Sequence, residues 1–189
     1  MTTTANKPNA VAAPEPLTVR PIGYVQSDYA QPDDVPHTHN GWTADVSHIR
    51  LLSKHAAGLG GLKGYSHMIV LFWVHRAKDW HMPKNHRKPR GVKVFATRMP
   101  VRPNPIGMSV VELLDFSPRN GKITVRGLDA LDGTPVLDIK PYISNFDSYA
   151  EARVPSWVTR HLNSHFHSGA HKHAHEHHET SAGYCRTEG

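Results

Sequence analysis

Cysteine is almost missing from this chain. The single thiol, Cys185, rules out an internal disulfide framework, so nothing calls for an oxidising compartment. Long apolar runs are missing too: the longest, residues 68–74, has seven residues, where a membrane-spanning helix needs roughly 20. The opening MTTTANKPNAVAAPEP has no apolar core of signal-peptide length. These absences predict a cytoplasmic protein with no membrane partner.

Helical periodicity is equally scarce, since no stretch in the middle of the chain sustains three turns of it. Catalytic signatures are also absent. There is no GxSxG elbow, no Walker A loop and no HExxH pair, and GLGGLKG at 58–64 lacks the spacing and following helix of a dinucleotide fingerprint. This excludes a Rossmann-type nucleotide site.

Short segments rich in β-branched and aromatic residues, bounded by Gly, Pro, Asn and Asp, are plentiful instead. They predict strands at 18–26, 44–52, 65–74, 92–97, 109–116, 122–128 and 136–139. The fold class is therefore mainly β, a barrel or sandwich. Residues 155–162 (PSWVTRHL) predict a short C-terminal helix, with Pro155 in its first turn. With 189 residues and 38% hydrophobic content, the chain has material for one domain. We assign residues 1–16 to a flexible leader, 17–162 to the folded domain and 163–189 to a His-rich low-complexity tail, so both ends are expected to be disordered.

Net charge is +6. Nine of the basic residues (Arg76, Lys78, Lys84, Arg87, Lys88, Arg90, Lys93, Arg98 and Arg102) fall in one stretch that holds a single acid, Asp79. Such a surface attracts polyanions, nucleic acid above all, though a solvated basic loop is the plain alternative. Two long connections, at 28–42 and 75–91, have the length of functional loops.

Three segments carry candidate chemistry. In ATRMPVRPNPIGMSVVEL (96–113) each proline fixes its own φ and pushes the preceding Arg102 and Asn104 toward extended backbone. Arg98, Arg102 and Asn104 would thus present donors from a stiff loop, with Arg102 and Asn104 as substrate contacts; a rigid strand entry is the competing reading. In GLDALDGTPVLDIKPY (127–142), Asp132-Gly133 reads as a tight turn whose backbone and Thr134 hydroxyl could clamp a ligand. His75 and Arg76 end the most apolar strand at the mouth of the long basic loop. The tail histidines His171, His173, His175 and His177 fit loose divalent-metal binding, with no second shell to fix a geometry.

The segments GYVQSDY, GYSHMIVLFWVHR, VFATRMPVRPNPIGMSVVEL and GLDALDGTPVLDIKPY, in that order from about Ile22 to Tyr142, resemble the TsaA-like family, whose characterised members include TrmO-type tRNA methyltransferases. The resemblance implies a compact, mostly antiparallel β-barrel that dimerises and binds S-adenosylmethionine (SAM). It implies methylation of the exocyclic nitrogen of threonylcarbamoyl-adenosine beside the anticodon, with tRNA as partner. By motif it implies cofactor contacts at His75, Arg76, Arg98, Met108, Leu131, Asp132, Gly133 and Thr134, and a further contact segment at His37, Thr38 and His39. Two departures stand out. His37-Thr38-His39 follows Pro36 where family members carry a Pro-Arg-Gln-like segment, and the tRNA-modifying bacterial members carry an added C-terminal domain where this chain has PSWVTRHL and the His-rich tail. Two alternatives therefore stand beside tRNA methylation: a SAM-dependent methyltransferase of a small metabolite, and a metal-handling protein acting through its tail. No general base is evident; a neutral His75 or Asp138 are the candidates.

Overall fold

The computed structural model describes residues 15–35, 45–79 and 88–160. Six antiparallel strands close into a barrel in the order β1-β2-β5-β4-β3-β6. They are β1 (Gly23–Gln26), β2 (Val46–Leu51), β3 (His67–Trp73), β4 (Ile106–Ser117), β5 (Lys122–Arg126) and β6 (Pro135–Pro141). Period-2 alternation decides which side of each strand faces in. Val25, Ile49, Met68, Val70, Phe72, Val111, Ile123, Val125 and Val136 fill the interior. Each such side chain removed from water stabilises the fold by about 1.5–3 kcal/mol.

The strands run alternately up and down, so β1, β3 and β5 all end at one rim of the barrel, where β2, β4 and β6 begin. The connections β1–β2, β3–β4 and β5–β6 therefore share that rim, and both long connections singled out in the sequence are among them. This rim is the barrel mouth. The register brings Phe72 opposite Gly107 on β4 and Val136 on β6, which sets the VLFWVHR, RPNPIGM and LDGTPV segments side by side.

The structure has one strand fewer than the sequence pattern predicts. Residues 92–97 do not form a strand; Val94–Ala96 is a turn of 3-10 helix. The cause is topological. Every strand of the closed barrel already has two neighbours, so no edge is free to pair with a seventh. The expected strand at 18–26 shortens to Gly23–Gln26, and Leu17 and Val19 before it are exposed. Among the elements not anticipated are the 3-10 helix Ser53–Leu59 and the short α1 (Ser144–Asp147), closed by Asp147 Oδ2 accepting from the Ile143 N–H at 2.8 Å. The expected C-terminal helix is helical over its described part, residues 156–160. Residues 1–14 and 161–189, which take in most of the leader and the whole tail, lie outside the described residues. No helix among the described residues is long and apolar enough to cross a membrane.

Candidate functional site at the barrel mouth

The LDGT turn is anchored to the end of β1 by backbone. Gly133 N–H donates to the Val25 carbonyl at 2.9 Å, Val25 N–H to the Thr134 carbonyl at 2.9 Å, and Asp132 N–H to the Tyr29 carbonyl at 2.8 Å. The Asp132 carboxylate accepts from the Ser27 N–H at 3.2 Å through Oδ1. Leu131 and Thr134 are buried, so the turn is part of the barrel end and not a free loop. Gly133 has φ +72°, and a Cβ built on it would meet nothing within 4 Å. The backbone here is open to a ligand from outside, while a side chain at this φ would be strained.

His75 emerges two residues past β3 and reaches the same turn. Its Nδ1 lies 3.3 Å from the Thr134 hydroxyl. Partial burial pushes the imidazole below its ordinary pKa, Arg76 pushes it further the same way, and Asp79 opposes them. The ring is thus held neutral at neutral pH, with Nδ1 able to accept from the Thr134 hydroxyl. A lowered folded pKa means that the unfolded chain takes up a proton first as pH falls through about 6.5. His75 therefore contributes stability above that value and loses the contribution as pH drops through its folded pKa. Thermal midpoints should show wild type gaining on a His75→Asn variant as pH rises from 5 to 7.5; a gain in the opposite direction would overturn the assignment.

Arg76 uses all three guanidinium nitrogens on the protein. Nε donates to Asp79 Oδ2 at 2.8 Å, Nη1 to the Ala30 carbonyl at 2.7 Å and Nη2 to Gln31 Oε1 at 2.8 Å. This fork ties the exit of β3 to the exit of β1. Arg102 acts the same way within its own loop: Nη1 donates to the carbonyls of Thr97 at 2.7 Å, Met99 at 3.3 Å and Val94 at 3.5 Å. Arg98 is different. It spends Nη2 on the Met108 carbonyl at 2.8 Å and is otherwise exposed, leaving donors for an incoming anion. Met108 itself projects from the outer wall beside the mouth and is 47% exposed, while Asn104 is exposed just before β4 begins.

The site contains a residue that sequence reasoning passed over. Asp129, the first acid of GLDALDG, accepts a hydrogen bond at Oδ1 from the hydroxyl of Ser109, a β4 residue pointing into the barrel. Asp129 is exposed as a residue, while its carboxyl, bonded to the Ser109 hydroxyl, is partly withdrawn from water. That desolvation raises its pKa, against the pull of Ser109, its own backbone and Arg98. Arg98 is thus close enough to Asp129 for its charge to be felt there, while its hydrogen bond goes to the Met108 carbonyl. The sequence offered only the place of Asp129 in the motif as a signal, because the Ser109 contact spans β4 and the β5–β6 connection.

The mouth thus assembles His75, Arg76, Arg98 and Leu131 to Thr134, with Arg102, Asn104 and Met108 on its flank. His37, Thr38 and His39 lie outside the described residues, in a connection whose described ends are at this same mouth. The tail histidines His171, His173, His175 and His177 lie outside them too. Among the described residues no cluster of three or more His, Cys, Asp or Glu could hold a metal ion.

Comparison with known proteins shows the family to which this barrel belongs. A probable S-adenosyl-L-methionine-binding protein of Methanothermobacter thermautotrophicus is 42% identical over 70% of this chain and 94% of its own length. The tRNA (adenine(37)-N6)-methyltransferase of Escherichia coli is 34% identical over 69% of this chain, which spans 60% of that enzyme. The crystal structure of TrmO from Pseudomonas aeruginosa superposes with a TM-score of 0.62 at 38% identity, covering 74% of this chain and 62% of that one. Residues 24–148, which contain every strand but the first residue of β1 and all three connections at the mouth, match the tRNA-methyltransferase O N-terminal domain, and the chain belongs to that family.

Proposed function

We propose that this protein is a SAM-dependent methyltransferase that modifies the exocyclic nitrogen of threonylcarbamoyl-adenosine beside the anticodon of tRNA, acting in the cytoplasm as a homodimer. The observation that carries the reading is the convergence, at one barrel mouth, of three segments far apart in sequence: VHR, RPNPIGM and LDGT. The donor set there fits the cofactor. The open backbone at Gly133 admits a flat or extended ligand, the Asp132 carboxylate has an oxygen left for a hydroxyl, and Arg98 has donors left for a carboxylate. The neutral His75 ring adds no positive charge to repel a sulfonium.

Bound SAM supplies a methyl group that is already activated for transfer. The chain's residues need only bind, orient and shield, and orientation alone lowers a barrier by several kcal/mol, roughly 7–11 in the best intramolecular cases. Of the two candidates for accepting the displaced proton, His75 stands at the mouth and is neutral. Asp138 is a poorer one: its Oδ2 is paired with Lys140 Nζ at 2.5 Å and its Oδ1 accepts from the Ile139 N–H at 2.9 Å. The exposed Lys88, Arg90 and Lys93 would hold the RNA backbone.

Calorimetry with SAM on wild type and on Asp132→Ala tests the cofactor half. The variant should bind roughly ten- to a hundred-fold more weakly, the cost of about 1.5–3 kcal/mol for losing a hydrogen bond to a charged group. A wild-type protein that binds no SAM would sink the reading. Mass spectrometry of nucleosides from threonylcarbamoylated tRNA incubated with protein and SAM tests the substrate half, and unmethylated nucleoside after incubation would leave a small metabolite as the substrate.

A further inference from the structure

Phe95 stands in the open. It is 80% exposed, on the 3-10 turn Val94–Ala96 that replaces the expected strand. A single exposed apolar residue is ordinary. This one is unusual because the loop under it is rigidly braced. Ala96 N–H donates to the Lys93 carbonyl at 3.1 Å and Thr97 N–H to the Val94 carbonyl at 3.0 Å. The Thr97 hydroxyl adds a second bond to Val94 at 2.8 Å, Lys88 Nζ holds the Val92 carbonyl at 2.8 Å, and Arg102 gathers the carbonyls of Val94, Thr97 and Met99. The charged residues that flank Phe95 in sequence are all of one sign. Lys88, Arg90, Lys93 and Arg98 are exposed, and the sequence has no acid between Asp79 and Glu112.

A flat ring carried into solvent on a braced turn and flanked by cations has the two components by which proteins hold unpaired nucleotides: a face on which a base stacks, and a positive surface that tracks the phosphates. A rigid platform also loses little entropy on binding. We propose that Phe95 is a stacking platform for an unpaired base of single-stranded RNA, so that the mouth selects its substrate by the presence of an open loop. The proposal rests on the RNA half of the function proposed above and adds to it which face of the protein reads the RNA and in what state. A base inside a duplex offers no free face to the ring.

The test uses the full-length protein and fluorescence anisotropy with two RNA probes, a hairpin with a seven-nucleotide loop and a fully paired duplex. Phe95→Ala should weaken hairpin binding roughly five- to a hundred-fold, the equivalent of about 1–3 kcal/mol per stacked base. It should leave duplex binding and SAM affinity unchanged, and Phe95→Trp should retain hairpin affinity. Because the side chain lies in solvent, the alanine variant should melt with wild type, so loss of fold does not confuse the result. Equal loss on both probes, or no loss on the hairpin, overturns the platform while leaving the RNA reading intact. A fall in SAM affinity would mean that the ring stacks on the cofactor's adenine, and a change in sedimentation would make it a contact between two copies; either overturns the proposal. A wild-type protein that binds SAM but neither RNA overturns the RNA half of the proposed function and the platform with it.

Discussion

An Arg76→Ala protein is expected to keep its barrel and to lose SAM affinity by roughly ten- to thirty-fold. The guanidinium makes its three bonds across the mouth, to Ala30, Gln31 and Asp79, and none to the hydrophobic core. Its side chain is 33% exposed, so the ion pair with Asp79 adds little by itself. The two bonds to the β1 exit are charge-assisted and hold that segment in one geometry. Their net worth of about 1.5–2 kcal/mol sets the fraction of molecules with the exit in place, and apparent affinity scales with that fraction. Global stability should change far less than affinity, because the strands are untouched. Arg76→Lys should recover only part of the loss, since an ammonium restores charge but not the planar fork. Calorimetry beside a denaturant melt separates the two effects, and unchanged SAM affinity in the alanine variant would refute the clamp.

The second large effect is expected at Gly107, in the middle of the PIGM segment. A Cβ at this position would lie 2.2 Å from Phe72 Cε2, 2.4 Å from Cζ and 2.8 Å from Cδ2. Phe72 is buried within the barrel and pairs directly opposite Gly107. The ring therefore fills the space that a side chain would need, and it cannot swing away without opening the core. Gly107→Ala should cost about 1–3 kcal/mol as an overpacked core residue, a fall of roughly 5–10 °C in Tm for a domain of this size. Adding Phe72→Leu should restore part of it, because the two residues share one contact. A single variant as stable as wild type would show that the socket is looser than the register indicates. The glycine reads in sequence as part of a ligand motif; the structure gives it a packing duty, which in turn fixes the strand carrying Met108 and Ser109 against the strand that delivers His75.

Much of the architecture was legible because the barrel obeys period 2. The alternation in VSHIRL, HMIVLFW and KITVR places Ile49, Met68, Val70, Phe72, Ile123 and Val125 inside, as a half-buried strand requires. The expectation failed at residues 92–97, where VKVFAT is rich in β-branched and aromatic residues and Val92, Val94 and Ala96 recur with period 2. Alternation reports that a segment suits a pleated surface; it does not report whether a partner edge exists. For Arg102, expected as a substrate contact, the structure adds a bracing role that the sequence did not reveal: Nη1 turns back onto three carbonyls of its own loop.

By itself, the sequence determined the β class, the lack of an internal disulfide and the basic stretch, because each follows from local residue type and spacing, while the motifs were tied to a cofactor site by their resemblance to a family. Only the tertiary structure decided how those motifs act. Closure of six strands put three remote connections on one rim, turned a seventh strand into the turn that exposes Phe95, and brought Ser109 to Asp129, His75 to Thr134 and Arg76 to Ala30. Those contacts join residues widely separated along the chain, and such pairings are set by barrel closure and strand register, which no local pattern encodes.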